Sequence, residues 1–255
     1  MEAEKIIGIV GGAGPFAGLD LQTKILNQTD ATQDQEHLTI INLSQPNQLT
    51  DRTAFLLGET AVNPAQAIFQ QLQLLERAGT AVAAIPCNTA HAPVIFDVVL
   101  AQLKAAGSRL TFLNMVYETA QYIHQHHPGI KRIGVLSTTG TYRVRIYPDL
   151  LETIGFEVLV PDEVVQKTAV QPAIYHPQHG IKACGKATPQ SRNWLLQSIH
   201  HLQQQGAEAI ILGCTELPLA ITENRIETMQ VIDPTTILAR ALIREANPAK
   251  LRPLL

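Results

Sequence analysis

Two stretches of this chain follow one plan. Ala83-Ala84-Ile85-Pro86-Cys87-Asn88-Thr89-Ala90-His91 and Ile210-Ile211-Leu212-Gly213-Cys214-Thr215-Glu216-Leu217 each run through apolar residues to a cysteine, then pass into small polar side chains. A short apolar run without alternation is the pattern of a strand buried on both faces, as in a parallel sheet covered by helices. The same pattern recurs at 5–10, 132–136 and 208–213, with helical spacing between. Strand and helix therefore alternate, which points to an α/β architecture with parallel sheets.

The two halves match in order and spacing. Placing Ile7-Gly8-Ile9-Val10 over Ile133-Gly134-Val135-Leu136 gives an offset of 126 (133 − 7), and the cysteines lie 127 apart (214 − 87). The expected fold is two similar, pseudo-symmetric parallel-sheet α/β lobes with the active site in the cleft between them. The expected boundaries are 1–115 plus 222–255 for the first lobe and 116–221 for the second. In open α/β sheets ligands bind beyond the carboxyl ends of the strands, which is where both cysteines fall.

Along the first half, 5–10 reads as a strand, Gly11-Gly12-Ala13-Gly14-Pro15 as a tight turn, 16–28 as a helix and 38–43 as a strand. The polar stretch 44–54 reads as a loop. Asn63-Pro64 starts a helix whose apolar face carries Ala65, Ile68, Phe69, Leu72 and Leu75, and Gly79 ends it. Strand 80–86 delivers Cys87; helix 93–106, strand 110–115 and helix 117–126 follow. In the second half the expectation is strand 132–136, turn 137–141, a helix over 142–154 disturbed at Pro148, and strand 156–160. Residues 161–187 read as irregular, Thr188-Pro189 as a helix cap, 208–213 as the strand that delivers Cys214, and 231–234 as a short strand entering helix 234–246.

The function classes narrow quickly. Net charge is -3 and no basic stripe is present, which argues against nucleic acid as a partner. No apolar run approaches the roughly 20 residues of a membrane span. The strand pattern begins by Ile6, so no signal peptide is expected. Cys87, Cys184 and Cys214 are an odd count without CxxC spacing, as in a reduced cytoplasmic protein with free thiols.

A lone cysteine is most simply a small core residue. A pair in matched settings calls for more. Asn88-Thr89 and Thr215-Glu216 can hydrogen-bond a ligand, and the segment after each cysteine is expected to open a helix whose N–H groups lower a thiol pKa. Two thiols on opposite faces of one carbon suit racemisation without a cofactor: one removes a proton, the other returns it. A nucleophilic Cys–His pair, using His91 four residues from Cys87, is the competing chemistry, but it leaves Cys214 without a role. Arg52 suits a bidentate carboxylate clamp, and otherwise an ion pair with Asp51 or Glu59. Lys182 adds a second positive charge or is an ordinary solvated lysine. Cys184 reads as incidental.

A dinucleotide reading finds only Gly12-x-Gly14-x-x-Ala17, with Pro15 inside the turn and no acid where the next strand ends at Leu43-Ser44-Gln45. The histidines at 124, 126, 127, 176 and 179 lack ligand spacing to acids or cysteines, so no metal is expected.

These motifs resemble the aspartate/glutamate racemase superfamily, in particular the cofactor-independent aspartate racemases. Pro86-Cys87-Asn88-Thr89-Ala90-His91 and Gly213-Cys214-Thr215-Glu216-Leu217 carry the resemblance. Gly11-Gly12-Ala13-Gly14-Pro15, Asp51-Arg52-Thr53, Thr138-Thr139-Gly140-Thr141 and Ile232-Asp233-Pro234-Thr235 support it. The resemblance implies that Cys87 and Cys214 are the acid/base pair. It implies that Asn88, Thr89, Thr138 and Thr215 hold the α-carboxylate and amino group of an acidic amino acid. Arg52 and Lys182 would hold the distal carboxylate, with Gly12, Asp51 and Tyr175 near the site. It also implies a homodimer. Thr50 stands where the family usually has Pro, and Tyr175 and Lys182 are seven residues apart where four is usual.

Overall fold

The computed structural model describes residues 4–254. The apolar run at the start forms β1 (Ile6–Val10), and a tight turn at Gly11–Ala13 leads into α1 (Pro15–Gln28), with Pro15 at the helix start where its missing N–H costs nothing. β2 (Ile40–Leu43), the short helix α2 (Arg52–Leu56) and α3 (Ala65–Arg77) follow. The α3 helix buries Ala65, Ile68, Leu72 and Leu75, the expected stripe, and leaves Phe69 half-buried. Asn63 Oδ1 accepts from the Ala65 N–H at 2.9 Å and caps its entry. Then come β3 (Thr80–Ala84), α4 (Pro93–Ala105), the two-residue β4 (Thr111–Phe112) and α5 (Met115–His126). The strand expected over 110–115 is cut short because Asn114 Oδ1 accepts from the N–H groups of Val116 and Tyr117, each at 3.0 Å, and so starts a helix.

The second half has β5 (Arg132–Ser137), α6 (Thr139–Arg143), α7 (Ile146–Thr153), β6 (Glu157–Leu159), α8 (Glu163–Val165), a π-helical turn at Gln166–Val170 and α9 (Gln171–Tyr175). It continues with α10 (Ile181–Cys184), α11 (Pro189–Gln204), β7 (Ala209–Gly213), β8 (Arg225–Ile226), β9 (Met229–Ile232) and α12 (Pro234–Ala246). Thr188 caps α11 as expected: its Oγ1 accepts from Ser191 N at 3.1 Å while Ser191 Oγ accepts from Thr188 N at 2.9 Å.

The sheets are topological copies. The first has the order β2-β1-β3-β4, the second β6-β5-β7-β9-β8. In each half the first strand lies between the second and third, and all pairings are parallel except the added β8–β9 edge. The half-chain repeat is thus a repeat of sheet topology, and the expected pair of α/β lobes is the fold.

Three readings are corrected. The compact units are residues up to Glu118 with those from Thr235 onward, and Thr119–Pro234. Residues 222–234, expected in the first lobe, belong with the second because β9 pairs with β7 along Ile210↔Val231. The break expected at Pro148 falls instead at Arg145, whose φ of 51° separates α6 from α7; Pro148 sits in the first turn of α7, where it is tolerated. The stretch 161–187 is not irregular but a succession of short helices.

Each unit has its own core. Ile7, Ile9, Leu21 and Ile25 pack with Leu238 and Leu242 in the first. Leu136, Leu195, Ile199, Leu202, Ile210 and Leu212 pack in the second. No described helix is long and apolar enough to cross a membrane.

Candidate active site

The first unit gathers its candidate residues at the carboxyl ends of β1 and β3. These strands pair with Ile9 opposite Ala84, so the chain reaches Gly12 and Cys87 three residues later on neighbouring strands. Gly12 is fitted to its place: a Cβ there would lie 2.8 Å from the backbone of Gln45 and Pro46. Asp51 Oδ1 accepts from Ala54 N at 2.8 Å and caps α2, so the stretch expected to be a loop ends in a helix that carries Arg52. The buried Arg52 guanidinium donates to the carbonyl oxygens of Ala13 and, at 3.3 Å, Thr50, which ties it to the Gly12 turn. The α2 helix also packs against the turn Asn88–His91 that follows Cys87. Gly12, Arg52, Cys87, Asn88 and Thr89 therefore share one strand-end cluster, all of them buried.

His91 closes this cluster from below. Its Nδ1 donates to the carbonyl oxygen of Cys87 at 2.9 Å. A carbonyl only accepts, so Nδ1 carries the proton. Burial pushes the imidazole down to about 4, which keeps it neutral. The hydrogen bond runs to the backbone of Cys87 rather than to sulfur, so His91 shapes the turn.

The second unit repeats the arrangement. β5 and β7 pair with Ser137 opposite Gly213, so Thr138 and Cys214 are the next residues on adjacent strands. Thr138 Oγ1 accepts from Thr141 N at 3.3 Å and caps α6. Cys214, Thr215 and Glu216 are buried. The Cys214 thiol donates to Glu216 Oε2 at 3.0 Å, and the Lys182 ammonium donates to Glu216 Oε1. The same ammonium lies 5.7 Å from the centre of the Tyr175 ring. The seven-residue spacing thus still brings Tyr175 and Lys182 together. The intervening 176–180 turn is closed by Gly180 N donating to His176 O at 2.7 Å, while His176 Nδ1 accepts from Gln178 N and His179 N at 3.2 Å.

The charges follow from this geometry. Burial, and then the neighbouring Glu216 carboxylate, push the Cys214 thiol well above its ordinary value, with Lys182 opposing. Burial would raise Glu216, but the Lys182 ammonium and the two hydrogen bonds outweigh it and hold the carboxyl below the usual range. Desolvation likewise works against charge on Lys182, and Glu216 reverses it, so the lysine is held above its ordinary value.

One expectation fails here. After Cys87 a helical turn leads to α4, but after Cys214 the chain makes only the three-residue turn Leu217–Leu219. No helix of useful length starts there, so its dipole does not lower this thiol; burial, and then a carboxylate, raise it instead.

Two residues give no signal in the sequence. Gln166, buried on the π-helical turn, donates from Nε2 to Ser137 O at 3.0 Å. Gln171 Oε1 accepts from Thr139 N at 3.1 Å and Thr139 Oγ1 at 2.9 Å. Together they hold the 137–139 turn beside Cys214. Asp51 caps α2 with its exposed carboxylate. All three cysteines are free thiols, and no group of three or more His, Cys, Asp or Glu able to hold a metal occurs among the described residues.

Known proteins match this arrangement along nearly the whole chain. A broad specificity amino-acid racemase, RacX, from Bacillus subtilis is 27% identical over 245 residues, 93% of this chain and 96% of its own. The aspartate racemase of Picrophilus torridus superposes with a TM-score of 0.78 at 28% identity, covering 95% of this chain and 94% of that one. An aspartate racemase homologue from Pyrococcus horikoshii gives 0.72 at 26% identity, covering 95% and 99%. The family described as Asp/Glu/Hydantoin racemase matches residues 10–242. With two sheets of one topology, each followed by a cysteine just beyond the carboxyl end of one strand, and that match across both, the chain belongs to the Asp/Glu/Hydantoin racemase family.

Proposed function

We propose that the protein racemises an acidic amino acid, aspartate foremost, in either direction and without a cofactor. Cys87 and Cys214 are the two bases. One sulfur, as thiolate, takes the Cα proton; the electron pair of the broken C–H bond stays on carbon as a carbanion. The other, as thiol, gives its proton to the opposite face and is left as thiolate. The observation that carries this reading is positional: each cysteine lies just beyond the third strand of its unit, three residues after Ala84 and directly after Gly213, beside the turn that follows the first strand. Asn88, Thr89, Thr138 and Thr215 bind the α-carboxylate and amino group, and Arg52 and Lys182 the distal carboxylate. Gly12, where a side chain would strike Gln45 and Pro46, shapes the turn that carries the Ala13 carbonyl bound by Arg52. A homodimer in the cytoplasm completes the proposal. The name of the Picrophilus torridus neighbour, an aspartate racemase, supports the choice of substrate.

A second reading has one specific observation in its favour. Lys182 is already partnered by Glu216, so a distal carboxylate is not needed to neutralise it. Amino acids without a distal carboxylate then become substrates, in keeping with the broad specificity named for the Bacillus subtilis relative.

Purified enzyme incubated with L-aspartate, L-glutamate and a panel of neutral L-amino acids, followed by chiral chromatography, tests both. The proposal expects D-aspartate to form fastest and Cys87→Ala and Cys214→Ala each to abolish it. No D-product from any of these substrates would refute it, and faster turnover of a neutral amino acid would favour the second reading.

A further inference from the structure

Glu216 makes contacts that a substrate-binding residue does not need. Its carboxylate lies buried between the Cys214 thiol, 3.0 Å from Oε2, and the Lys182 ammonium on Oε1; Thr215 Oγ1 lies 3.5 Å from Oε2. An ionised carboxylate only accepts hydrogen bonds, so the contact with sulfur exists only while sulfur keeps its proton. A thiolate in the same place would bring two negative charges together in a water-poor setting, where the repulsion is strong.

We propose that Glu216 locks Cys214 in the thiol form in the free enzyme, so that Cys214 is the resident acid of the pair and Cys87 is the group that must first act as base. The lock is a property of the resting protein. Its meaning for turnover rests on the two-base reading above.

The groups facing this centre agree with the assignment. Lys182 keeps the carboxylate ionised and limits the penalty when Cys214 gives up its proton, since the ammonium then stabilises both anions. Tyr175, from α9, presents its ring to the same ammonium. Tyr147, from α7, is fully buried on the other side, and its ring atom Cε2 lies 3.3 Å from where a Cβ on Gly213 would stand. Burial raises the Tyr147 phenol above its ordinary value; its hydroxyl meets Thr119, and Asp233 lies nearby, so it supplies no positive charge to the sulfur. When Cys214 acts, its S–H bond breaks, the proton forms the new Cα–H bond, and the electron pair stays on sulfur. Enantiomers have equal energies, so the lock sets which protonation form waits for substrate and leaves the equilibrium at one to one.

The test reads the sulfur itself. Thiolate ultraviolet absorbance is titrated against pH, each protein being measured against the same protein carrying Cys214→Ser, so that the difference belongs to Cys214. Glu216→Gln removes the negative charge and leaves Lys182; the midpoint falls by about one pH unit or more. Lys182→Met removes the opposing charge; the midpoint rises. These opposite movements support the lock. An unchanged midpoint, or a movement in the other direction, in either variant overturns it. Thermal melting checks that each variant is folded, and either one decides the question alone. The titration needs no substrate: if the wild-type protein shows the lock but racemises nothing, the proposed function fails and the lock stands.

Discussion

The Nδ1–H of His91 donates to the carbonyl oxygen of Cys87 at 2.9 Å, within a single turn that also holds Asn88 and Thr89. The ring is buried and held neutral down to about 4, mainly by desolvation. Because the folded pKa is depressed, between about 6.5 and about 4 the unfolded chain binds a proton that the folded protein refuses. This contribution to stability is therefore fully present above about 6.5 and is lost as pH falls through about 4. Its size is about 3 kcal/mol at most. Urea unfolding at a series of pH values is expected to show this slope in the wild type and a flatter one in His91→Gln.

Gln171 holds the turn beside Cys214 through one oxygen that accepts both the N–H and the hydroxyl of Thr139. Gln171→Leu leaves those two donors without this acceptor, which costs about 1–3 kcal/mol where water cannot replace it. Thermal melting is expected to drop accordingly. Thr138 lies next to the released segment, so KM for the amino acid is expected to rise more than kcat falls.

Gly180 is constrained by its neighbours. A Cβ there would come within 2.4 Å of His176 N and 2.7 Å of His176 O, backbone atoms that cannot step aside. Gly180→Ala therefore forces apart the turn that sets Lys182 against Tyr175 and Glu216. The expected result is a stability loss of about 1–3 kcal/mol and a raised KM for a dicarboxylic substrate, with a smaller effect on a neutral one. Comparison of KM across the two substrate types checks this.

How much of this was legible in the sequence depended on what closes each segment. β1, β3, β5 and β7 are bounded apolar runs, and α3 and α11 carry caps in their own residues, Asn63 and Thr188. Their form follows from local chemistry. The 161–187 stretch does not work this way. Its helices are of three to five residues, too short for a period to emerge. They are held by distant partners, such as Gln166 to Ser137 and Gln171 to Thr139. Arg145 adopts φ 51°, a region arginine does not favour by itself, with its guanidinium paired to Asp149 and Glu152. In the site, the cysteines and their polar neighbours are readable as motifs. The Lys182–Glu216 pair is not, since its members lie 34 residues apart and meet only because α10 folds back toward the end of β7. Burial, and then the Glu216 carboxylate of that pair, raise the Cys214 thiol where a lowering was expected, and Lys182 opposes them.

The central claim is that two different sulfurs act on opposite faces of one carbon. Racemisation of L-aspartate in deuterated water, stopped early and resolved by chiral separation and mass spectrometry, tests it most directly. In the proposed two-base reaction, the base that takes the proton is not the acid that returns one. The account therefore predicts that the D-aspartate formed carries solvent deuterium at Cα, while recovered L-aspartate stays protiated. Deuterium entering recovered L-aspartate as fast as D-aspartate forms, or D-aspartate that keeps the original proton, would contradict it.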